Sequence, residues 1–178
     1  MIETTRLTIV PFGPEHLTGA YLGWLNDPET MRFSENRGRV HTAESCRAYA
    51  AGFAGTPNRF FAILLRGAVP RHVGTATIYV DARNGVADMG ILIGAREVWG
   101  QGIGTEAWIG LLGHAFAELG MRKVTAGTLS VNMGMLGIMR RSGMQEDGRR
   151  IRQVVWNGTE VDMVHAAAFA GNWTPSRP

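Results

Sequence analysis

The most informative part of this chain is VWGQGIGTEA, residues 98–107. Three glycines stand at alternate positions in it, at Gly100, Gly102 and Gly104. The stretch follows an apolar run, 89–93, that is typical of a strand, and it leads into a segment with helical periodicity. Glycine lets the backbone bend and approach a ligand closely, and the free N–H groups at a helix N-terminus favour an anion. The order strand, glycine loop and helix therefore predicts a phosphate-binding site.

The segment after the glycine loop has one apolar face at helical spacing. Its members are Trp108, Leu111, Leu112, Ala115, Phe116 and Leu119. This spacing predicts an amphipathic helix that packs on a core. Thr105 or the preceding glycine offers its N-terminal boundary, Glu106 suits the positive end of its dipole, and Gly120 offers a left-handed C-terminal cap. A plain strand-to-helix turn is the alternative to an anion site, but three glycines in five residues favour the anion site.

Two nucleotide-binding interpretations of the loop are weak. Residues 102–107 fit the dinucleotide pattern G-x-G-x-x-A, which needs an acidic residue about 20 positions further on. The next predicted strand, 123–129, runs instead into Ser130, Val131 and Asn132. A P-loop needs Gly-Lys followed by Ser or Thr, and no lysine is present at that place.

Composition indicates one globular domain. The 178 residues are 45% apolar and carry a net charge of +3, which suits a polyanionic cofactor or an acidic substrate and does not demand nucleic acid. The single cysteine, Cys46, excludes an internal disulfide and favours a reducing compartment. The sequence shows no membrane-length apolar run and no signal-peptide pattern. We therefore expect a cytoplasmic protein with a single domain over 1–171 and a loose C-terminal tail over 172–178.

The hydrophobic pattern predicts strands and helices in an α+β order with a mixed sheet. Strands are expected over 6–12, 60–65, 73–80, 86–93, 123–129, 148–156 and 160–169. Helices are expected over 14–25, from a cap at Thr42 to 53, after the glycine loop and over 132–141. Asn157-Gly158 joins the last two strands with the strongest short hairpin signal.

Residues 99–107 resemble the acetyl-CoA pyrophosphate loop of the GCN5-related N-acetyltransferases (the GNAT superfamily). Trp99 stands where that loop usually begins with Arg or Gln, a variant typical of the branch with the ribosomal-protein alanine N-acetyltransferases. Residues 3–9, Asn132 and Gly143 are also similar to that branch, so the resemblance spans nearly the whole chain. It implies a single-domain α+β fold, with a mixed central sheet of about seven strands, two of them splayed and parallel, flanked by about four helices.

The resemblance also implies acetyl-CoA as the cofactor. In this family the pantetheine arm enters the gap between the two splayed strands, which would be 89–93 and 123–129 here. Backbone groups of Ile91 and Ile93 would pair with the arm as an added strand does, although both residues also suit a strand core. Asn132 would bond the cofactor or anchor its own helix. The implied cofactor-binding residues are Ile91, Leu92, Ile93, Trp99, Gln101, Gly102, Ile103, Gly104, Thr105, Asn132 and Met139.

The chain departs from the family at the acid that protonates the leaving thiolate. The usual Tyr aligns with Met139, counted back from Gly143, and a position that is usually Ser aligns with Met135. Methionine donates no proton. Either another donor acts or the thiolate leaves directly and is protonated by solvent. The two methionines would line the cofactor arm or, as the simpler alternative, pack in the core.

Acetyl transfer to an amine needs a neutral nitrogen, so we searched for a base. Deprotonation at pH 7 costs roughly 4.6 kcal/mol for an amine of pKa about 10.4 and about 1.4 kcal/mol for one near 8. Asp88 is the first candidate, because the family often keeps its base on this strand; the alternative is a surface pairing with Arg83. Glu35 is the second candidate, with a solvated loop charge as the alternative. His41 is a weaker one, since a surface histidine is more common there.

The acceptor half is implied by a second similarity. Residues 24–33 and 41–46 resemble the corresponding part of bacterial acetyltransferases that modify amino sugars on nucleotide carriers. Substrate contacts are expected at Trp24, Phe33, Glu35 and Tyr79. Five arginines, Arg140, Arg141, Arg149, Arg150 and Arg152, would attract an anionic substrate or the CoA 3′-phosphate, or simply form a solvated surface.

The sequence thus predicts an acetyl-CoA-dependent N-acetyltransferase that acts by direct transfer on a primary amine. We expect a nucleotide-linked amino sugar or similar small molecule as the acceptor. The alternatives are N-terminal acetylation of a protein, as in the ribosomal-protein alanine enzymes, and an acyl-CoA-binding module without catalysis. Neither a metal, nucleic acid nor a membrane is expected as a partner. The free edge of the final hairpin leaves a homodimer open.

Overall fold

In the computed structural model, which describes residues 1–174, eight strands form one mixed sheet in the order β1-β2-β3-β4-β5-β6-β8-β7. The strands are β1 Ile2–Glu3, β2 Leu7–Pro11, β3 Arg59–Leu65, β4 Arg71–Asp81, β5 Val86–Ile93, β6 Lys123–Leu129, β7 Gln145–Trp156 and β8 Thr159–Phe169. The helices are α1 Gly19–Asn26, α2 Pro28–Met31, α3 Ala43–Ala51, α4 Ile103–Ala117 and α5 Met133–Arg141, with 3₁₀ turns at Pro14–His16 and Arg96–Val98. The predicted α+β class and mixed sheet are confirmed.

The predicted helix over 14–25 is wrong as one element. Thr18 has extended backbone angles and caps α1, because its hydroxyl accepts a hydrogen bond from the Tyr21 N–H at 3.2 Å. Only a 3₁₀ turn precedes it. The residues directly after α1 begin a further helix, α2: Asp27 accepts from the Thr30 N–H at 2.9 Å, and Pro28 takes the first helical position. The predicted helix is therefore two pieces, the 3₁₀ turn and α1, and the separate helix α2 follows them.

Helix α4 supplies the centre of the core. Trp108, Leu111 and Leu112 are fully buried, as the apolar face predicted, and pack with strand residues such as Ile9 and Ile63. Burying a side chain of this size stabilises the fold by about 1.5–3 kcal/mol. The predicted left-handed glycine after the helix, Gly120, has φ +67°.

The C-terminal hairpin follows its predicted turn. Asn157 and Gly158 both have positive φ, +48° and +77°, as a two-residue turn of this kind requires. Of the predicted tail 172–178, residues 175–178 lie outside the described residues, and the Trp173 indole donates to the Ser142 carbonyl at 2.8 Å. Within residues 1–174, no helix has the length and apolar character to cross a membrane, and no group of three potential ligands is placed to hold a metal ion.

The pairing of the two central parallel strands stops early. Strands β5 and β6 pair only from Val86 to Asp88, with Lys123 to Thr125. Beyond that point β5 stays paired with β4 up to Ile93, while β6 stays paired with β8. The two strands therefore separate, as predicted, and the gap opens toward the N-terminus of α4.

Candidate active site

A cleft of about 1310 Å³ extends along this gap. The glycine loop and the first turn of α4 line one end, and the separated part of β5 and the start of α5 line its middle. The segment 29–41 and residues from β7 and β8 line the other end. One continuous cleft thus joins the predicted phosphate loop to the predicted acceptor segment.

The N-terminus of α4 presents unpaired backbone donors. The residue at its N-cap, Gly102, has φ +79° and no side chain to cap the helix, and Gly100 has φ +74°. The first helical hydrogen bond runs from the Glu106 N–H to the Gly102 carbonyl at 3.0 Å. Within the described part of the chain, the N–H groups of Ile103, Gly104 and Thr105 precede that bond and have no partner. Such a set of donors fits a phosphate or diphosphate group.

An ion pair ties this loop to the N-terminal strand. Glu106 accepts from the Thr4 hydroxyl, the Arg6 N–H and the Arg6 guanidinium, each at 2.6 Å. Burial alone raises the pKa of Glu106, but these bonds and the charge of Arg6 outweigh it, so the pKa lies below its usual value. Arg6 also donates to the Gln101 carbonyl at 2.9 Å. Glu106 thus does more than complement the helix dipole: it holds the loop in place.

Trp99 closes the other side of the loop. Its indole N–H donates to the carbonyl of Ile93, the last residue of β5, at 2.7 Å. The guanidinium groups of Arg32 and Arg96 lie 5.5 Å and 5.8 Å from its ring, within the range of a cation–π contact. Trp99 therefore lines the cleft and fixes the loop to the end of β5.

Helix α5 contributes a cation and a capped end. Arg141 donates from two guanidinium nitrogens to the Thr105 hydroxyl, both at 3.3 Å, which brings a positive charge to the first turn of α4. Asn132 caps its own helix: its Oδ1 accepts from the Met135 N–H at 3.1 Å and its Nδ2 donates to the Thr128 hydroxyl at 3.0 Å. Of its two predicted roles, the structure shows the helix anchor.

Most of the predicted cofactor residues share this end of the cleft. Those lining it are Ile91, Leu92, Ile93, Trp99, Gly102, Ile103, Gly104, Thr105 and Asn132. Gln101 is exposed outside the lining and donates to the Glu97 carbonyl at 2.7 Å. Met139 is only 3% exposed and belongs to the core, whereas Met135 lines the cleft. Met139 therefore packs in the core, which was the simpler of its two predicted alternatives.

Asp88 lies where β5 and β6 separate. It occupies the last paired position, opposite Thr125, whose hydroxyl donates to its carboxylate at 2.7 Å. The carboxylate is open to the cleft, but the surrounding walls desolvate it and raise its pKa above the usual value, against the opposing effects of the Thr125 bond and the charge of His165. Arg83, the predicted surface partner, makes no salt bridge with it in the described structure.

The sequence did not reveal His165, which lies on the floor of the cleft. It is paired with Gly127 of β6 on one side and Gly148 of β7 on the other, and paired residues face the same way. Its Nε2 is buried and lacks a hydrogen-bond partner among residues 1–174. A lone histidine in an alternating strand carries no motif; only the strand pairing shows that glycines flank it.

The acceptor wall is formed by the segment 29–41 against the final hairpin. The Phe33 ring stacks on Trp156 with centroids 5.5 Å apart, and the Trp156 indole donates to the Arg32 carbonyl at 2.9 Å. Arg37 donates to the Val155 carbonyl at 3.1 Å. Glu35 is exposed on this wall. Two distant parts of the chain therefore shape this half of the cleft together.

Two predicted substrate residues lie outside the cleft lining. Trp24 packs in an aromatic cluster, with its ring centroid 5.0 Å from that of His72, and it covers Gly94, where any Cβ would collide with the indole. Tyr79 is paired with Asp88 and faces the same side of the sheet, but it is exposed beyond the cleft, with its hydroxyl 2.7 Å from that of Tyr49. The sequence identifies both as aromatic residues, but it does not show that their side chains lie outside the cleft. His41 does line the cleft, with a buried Nε2 that lacks a partner in the described chain.

The charge at the acceptor end is positive. Apart from Arg141 at the donor end, the arginines that line the cleft are Arg32, Arg37, Arg39 and Arg150, against the carboxylates of Glu29, Glu35 and Asp88. Arg32 is paired with Glu29. Neither Arg39 nor Arg150 forms a salt bridge with any carboxylate of residues 1–174. Of the other predicted arginines, Arg149 pairs with Glu146 and Asp162, and Arg152 with Glu160, so these are surface pairs.

Comparison with known proteins gives a family for most of the chain. The profile of the acetyltransferase (GNAT) domain matches residues 6–145. A curated relative, FsC-acetyl coenzyme A-N(2)-transacetylase of Aspergillus fumigatus, is 27% identical over 157 residues, which cover 80% of this chain. The matched part spans only 64% of that relative's length.

Solved structures share the fold at low sequence identity. An acetyltransferase (GNAT family) from Bacillus anthracis has a TM-score of 0.82 at 20% identity, covering 96% of this chain and 99% of its own. Spermidine N-acetyltransferase from Vibrio cholerae, in complex with CoA and spermine, also has a TM-score of 0.82, at 16% identity, covering 94% and 98%. At these identities the likeness concerns the fold alone.

Proposed function

The chain belongs to the GNAT acetyltransferase family, and from that premise we propose that it acetylates the primary amine of a nucleotide-linked amino sugar or a similar small anionic molecule. It is an acyltransferase, and acetyl-CoA is the acetyl donor of its family. The observation that carries the proposal is a single cleft whose backbone donors at one end and arginines at the other end have no partner within residues 1–174, with a carboxylate at the strand separation between them.

The residues of the donor end fit coenzyme A. The free N–H groups of Ile103, Gly104 and Thr105 would hold its diphosphate, with Arg141 adding a positive charge beside them. The unpaired backbone of β5 beyond Asp88 would hold the amide-bearing arm, as a sheet edge holds an added strand. When bound, acetyl-CoA supplies an acetyl group activated as a thioester.

Asp88 is the proposed base for the acceptor amine. It is the carboxylate at the strand separation, it is open to the cleft, and Thr125 fixes its orientation. Its negative charge would bind the ammonium form of the acceptor, and its raised pKa makes it a better proton acceptor than an ordinary surface aspartate. Glu35, exposed on the acceptor wall, is the second candidate for the base. It suits substrate binding better than proton transfer, because no hydrogen bond or salt bridge within residues 1–174 orients its carboxylate.

The unpaired arginines favour an anionic acceptor. Arg39 and Arg150 lie at the acceptor end without a carboxylate partner in the described structure. A phosphate-bearing acceptor would supply the missing counter-charge, whereas a polyamine would add repulsion. The cleft therefore suits a nucleotide-linked sugar better than a substrate like that of the spermidine enzyme.

A panel of amines tests this proposal. The purified protein is given acetyl-CoA with a UDP-linked amino sugar, spermidine, or a peptide with an N-terminal alanine, and release of free thiol is followed. We expect the sugar nucleotide to have the highest kcat/KM, about tenfold or more above spermidine, which corresponds to one arginine–phosphate contact. Turnover of the peptide without turnover of the sugar nucleotide would instead show protein N-terminal acetylation. A preference for spermidine would overturn the anionic acceptor.

A further inference from the structure

One buried group of the cleft has no task in the mechanism above. The Nε2 atom of His165 is buried without a hydrogen-bond partner in the described chain. Buried polar atoms almost always have one. The other ring nitrogen, Nδ1, is not buried and makes no hydrogen bond in the described chain, so it is the nitrogen that a molecule in the cleft can reach. His41 shares these features, but it lies on the loop before α3, whereas His165 lies on the sheet face that also carries Asp88.

Glycines keep the space beside His165 open. A Cβ at Gly127 would lie 3.3 Å from Nδ1 and 3.4 Å from Cε1 of the imidazole, and Gly148 is on its other side. On β5, across the strand separation, Gly90 also leaves the cleft face free of a side chain; a Cβ there would lie 2.9 Å from the Thr77 hydroxyl. Alternate residues share a face of a strand, so Asp88 and His165 face the same side of the sheet, with the side-chain-free Gly127 between them.

We propose that His165 is a second catalytic residue, which takes a proton from the acceptor nitrogen. This rests on the proposed function. An ammonium group loses two protons in becoming an amide. Asp88 takes the first, which frees the lone pair, and Nδ1 of His165 takes the second as the N–C bond forms. The C–S bond breaks with its electrons on sulfur, the thiolate takes up one proton, and one proton is released to solvent overall.

This role supplies a proton for the leaving thiolate, for which the family's usual Tyr is missing in this chain. Neither Met135 nor Met139 can donate a proton, and Met139 is in the core. The imidazole of His165 holds a proton inside the cleft at the stage when the thiolate needs one. A histidine serves both proton uptake and proton release, which a carboxylate of low pKa does less well.

Substitution separates this role from a structural one. With the best acceptor of the panel, His165→Gln is expected to lower kcat about 100-fold, the lower range for a general base, with less than a threefold change in acceptor KM. The matched control is His114→Gln, because His114 lies on α4 against Phe61, outside the cleft lining, and should stay within twofold of wild type. A kcat within threefold of wild type for His165→Gln would overturn the proposal.

A second measurement does not depend on turnover. In protein labelled with ¹⁵N-histidine and bound to CoA, which has no acetyl group, adding the same acceptor should shift the Nδ1 resonance of His165; no shift at saturation would count against contact. If His165→Gln does not fold, Gly127→Ala serves instead, because its methyl group presses on the ring; we expect about a tenfold loss of kcat. Wild type that acetylates none of the amines would refute the proposed function, whereas active wild type with an indifferent His165 refutes this inference alone.

Discussion

The two ends of the cleft are made of different chemical groups. The donor end depends on the backbone: free N–H groups of 103–105 and the unpaired edge of β5. The acceptor end depends on side chains that come from separate elements, Asp88 of β5, Arg39 of the segment before α3, and Arg150 of β7. The donor end therefore depends most on its backbone and glycines, and the acceptor end depends most on the chemistry of its side chains. A family can keep one cofactor while its acceptors change for this reason.

The largest effect is expected where the two ends meet. Asp88→Asn keeps the shape and the Thr125 contact but removes the charge, so kcat should fall about 10²- to 10⁴-fold, as expected for loss of a general base. Steady-state kinetics at saturating acetyl-CoA measure it, and the Kd of CoA should be unchanged. A large loss of CoA affinity in this variant would contradict the assignment of Asp88 to the acceptor end alone.

A change at the donor end should be nearly as large but should appear in CoA affinity. At Gly104 a Cβ would lie 3.0 Å from Ile138 Cδ1 and 3.5 Å from Ile93 Cγ1, so the larger side chain of Gly104→Val must displace these isoleucine side chains and cover the free N–H groups of the loop. We expect the Kd of CoA to rise about 100-fold, or about 2.7 kcal/mol. Calorimetric titration measures it. The matched control is Gly23→Ala on α1, where nothing lies within 4 Å; equal affinities for both variants would contradict a backbone-made site.

A smaller effect is expected from the acceptor arginines. Arg39→Gln and Arg150→Gln should each raise the KM of the sugar-nucleotide acceptor about five- to tenfold, through loss of a charge-assisted hydrogen bond. The KM for acetyl-CoA should stay within twofold of wild type. Arg152→Gln, whose residue pairs with Glu160 on the surface, is the control. A rise in the KM of acetyl-CoA would place these arginines at the donor end instead.

The smallest effect concerns the aromatic cluster that contains Trp24 and His72. Burial first, and then the neighbouring His16, lower the pKa of His72 to about 4. The unfolded chain therefore binds the proton more readily, so stability is complete above pH 6.5 and falls as the pH drops toward 4. Discounted for partial exposure, we expect a loss of about 1 kcal/mol at pH 5, or about 2–4 °C in Tm.

Thermal unfolding at pH 7 and pH 5 measures this effect. The His72→Phe variant should lose less of its Tm than wild type over the same range, because it lacks the titrating ring. An equal loss in both proteins would assign the pH dependence to other groups.

The same division explains what could be predicted from the sequence. The strand β5 and the glycine loop of the donor end lie in one stretch of sequence. Local periodicity and glycine spacing were therefore enough to predict β5, the loop before α4 and, further along the chain, β6. The acceptor end needs strand pairing and side-chain direction, which local patterns do not carry. His165 between Gly127 and Gly148 emerges only from the register of three strands. The break at Thr18 was missed because a continuous apolar face concealed a capping hydroxyl.

The bond between Arg6 and Glu106 joins residues one hundred positions apart. A contact of such long range closes a large loop, and closing it costs entropy that only later packing returns. The anion-binding turn of α4 therefore acquires its final shape after the first strand has docked. Capture of coenzyme A by a refolding chain should consequently trail the recovery of helical circular dichroism, and shortening the amino terminus by six residues should widen that delay.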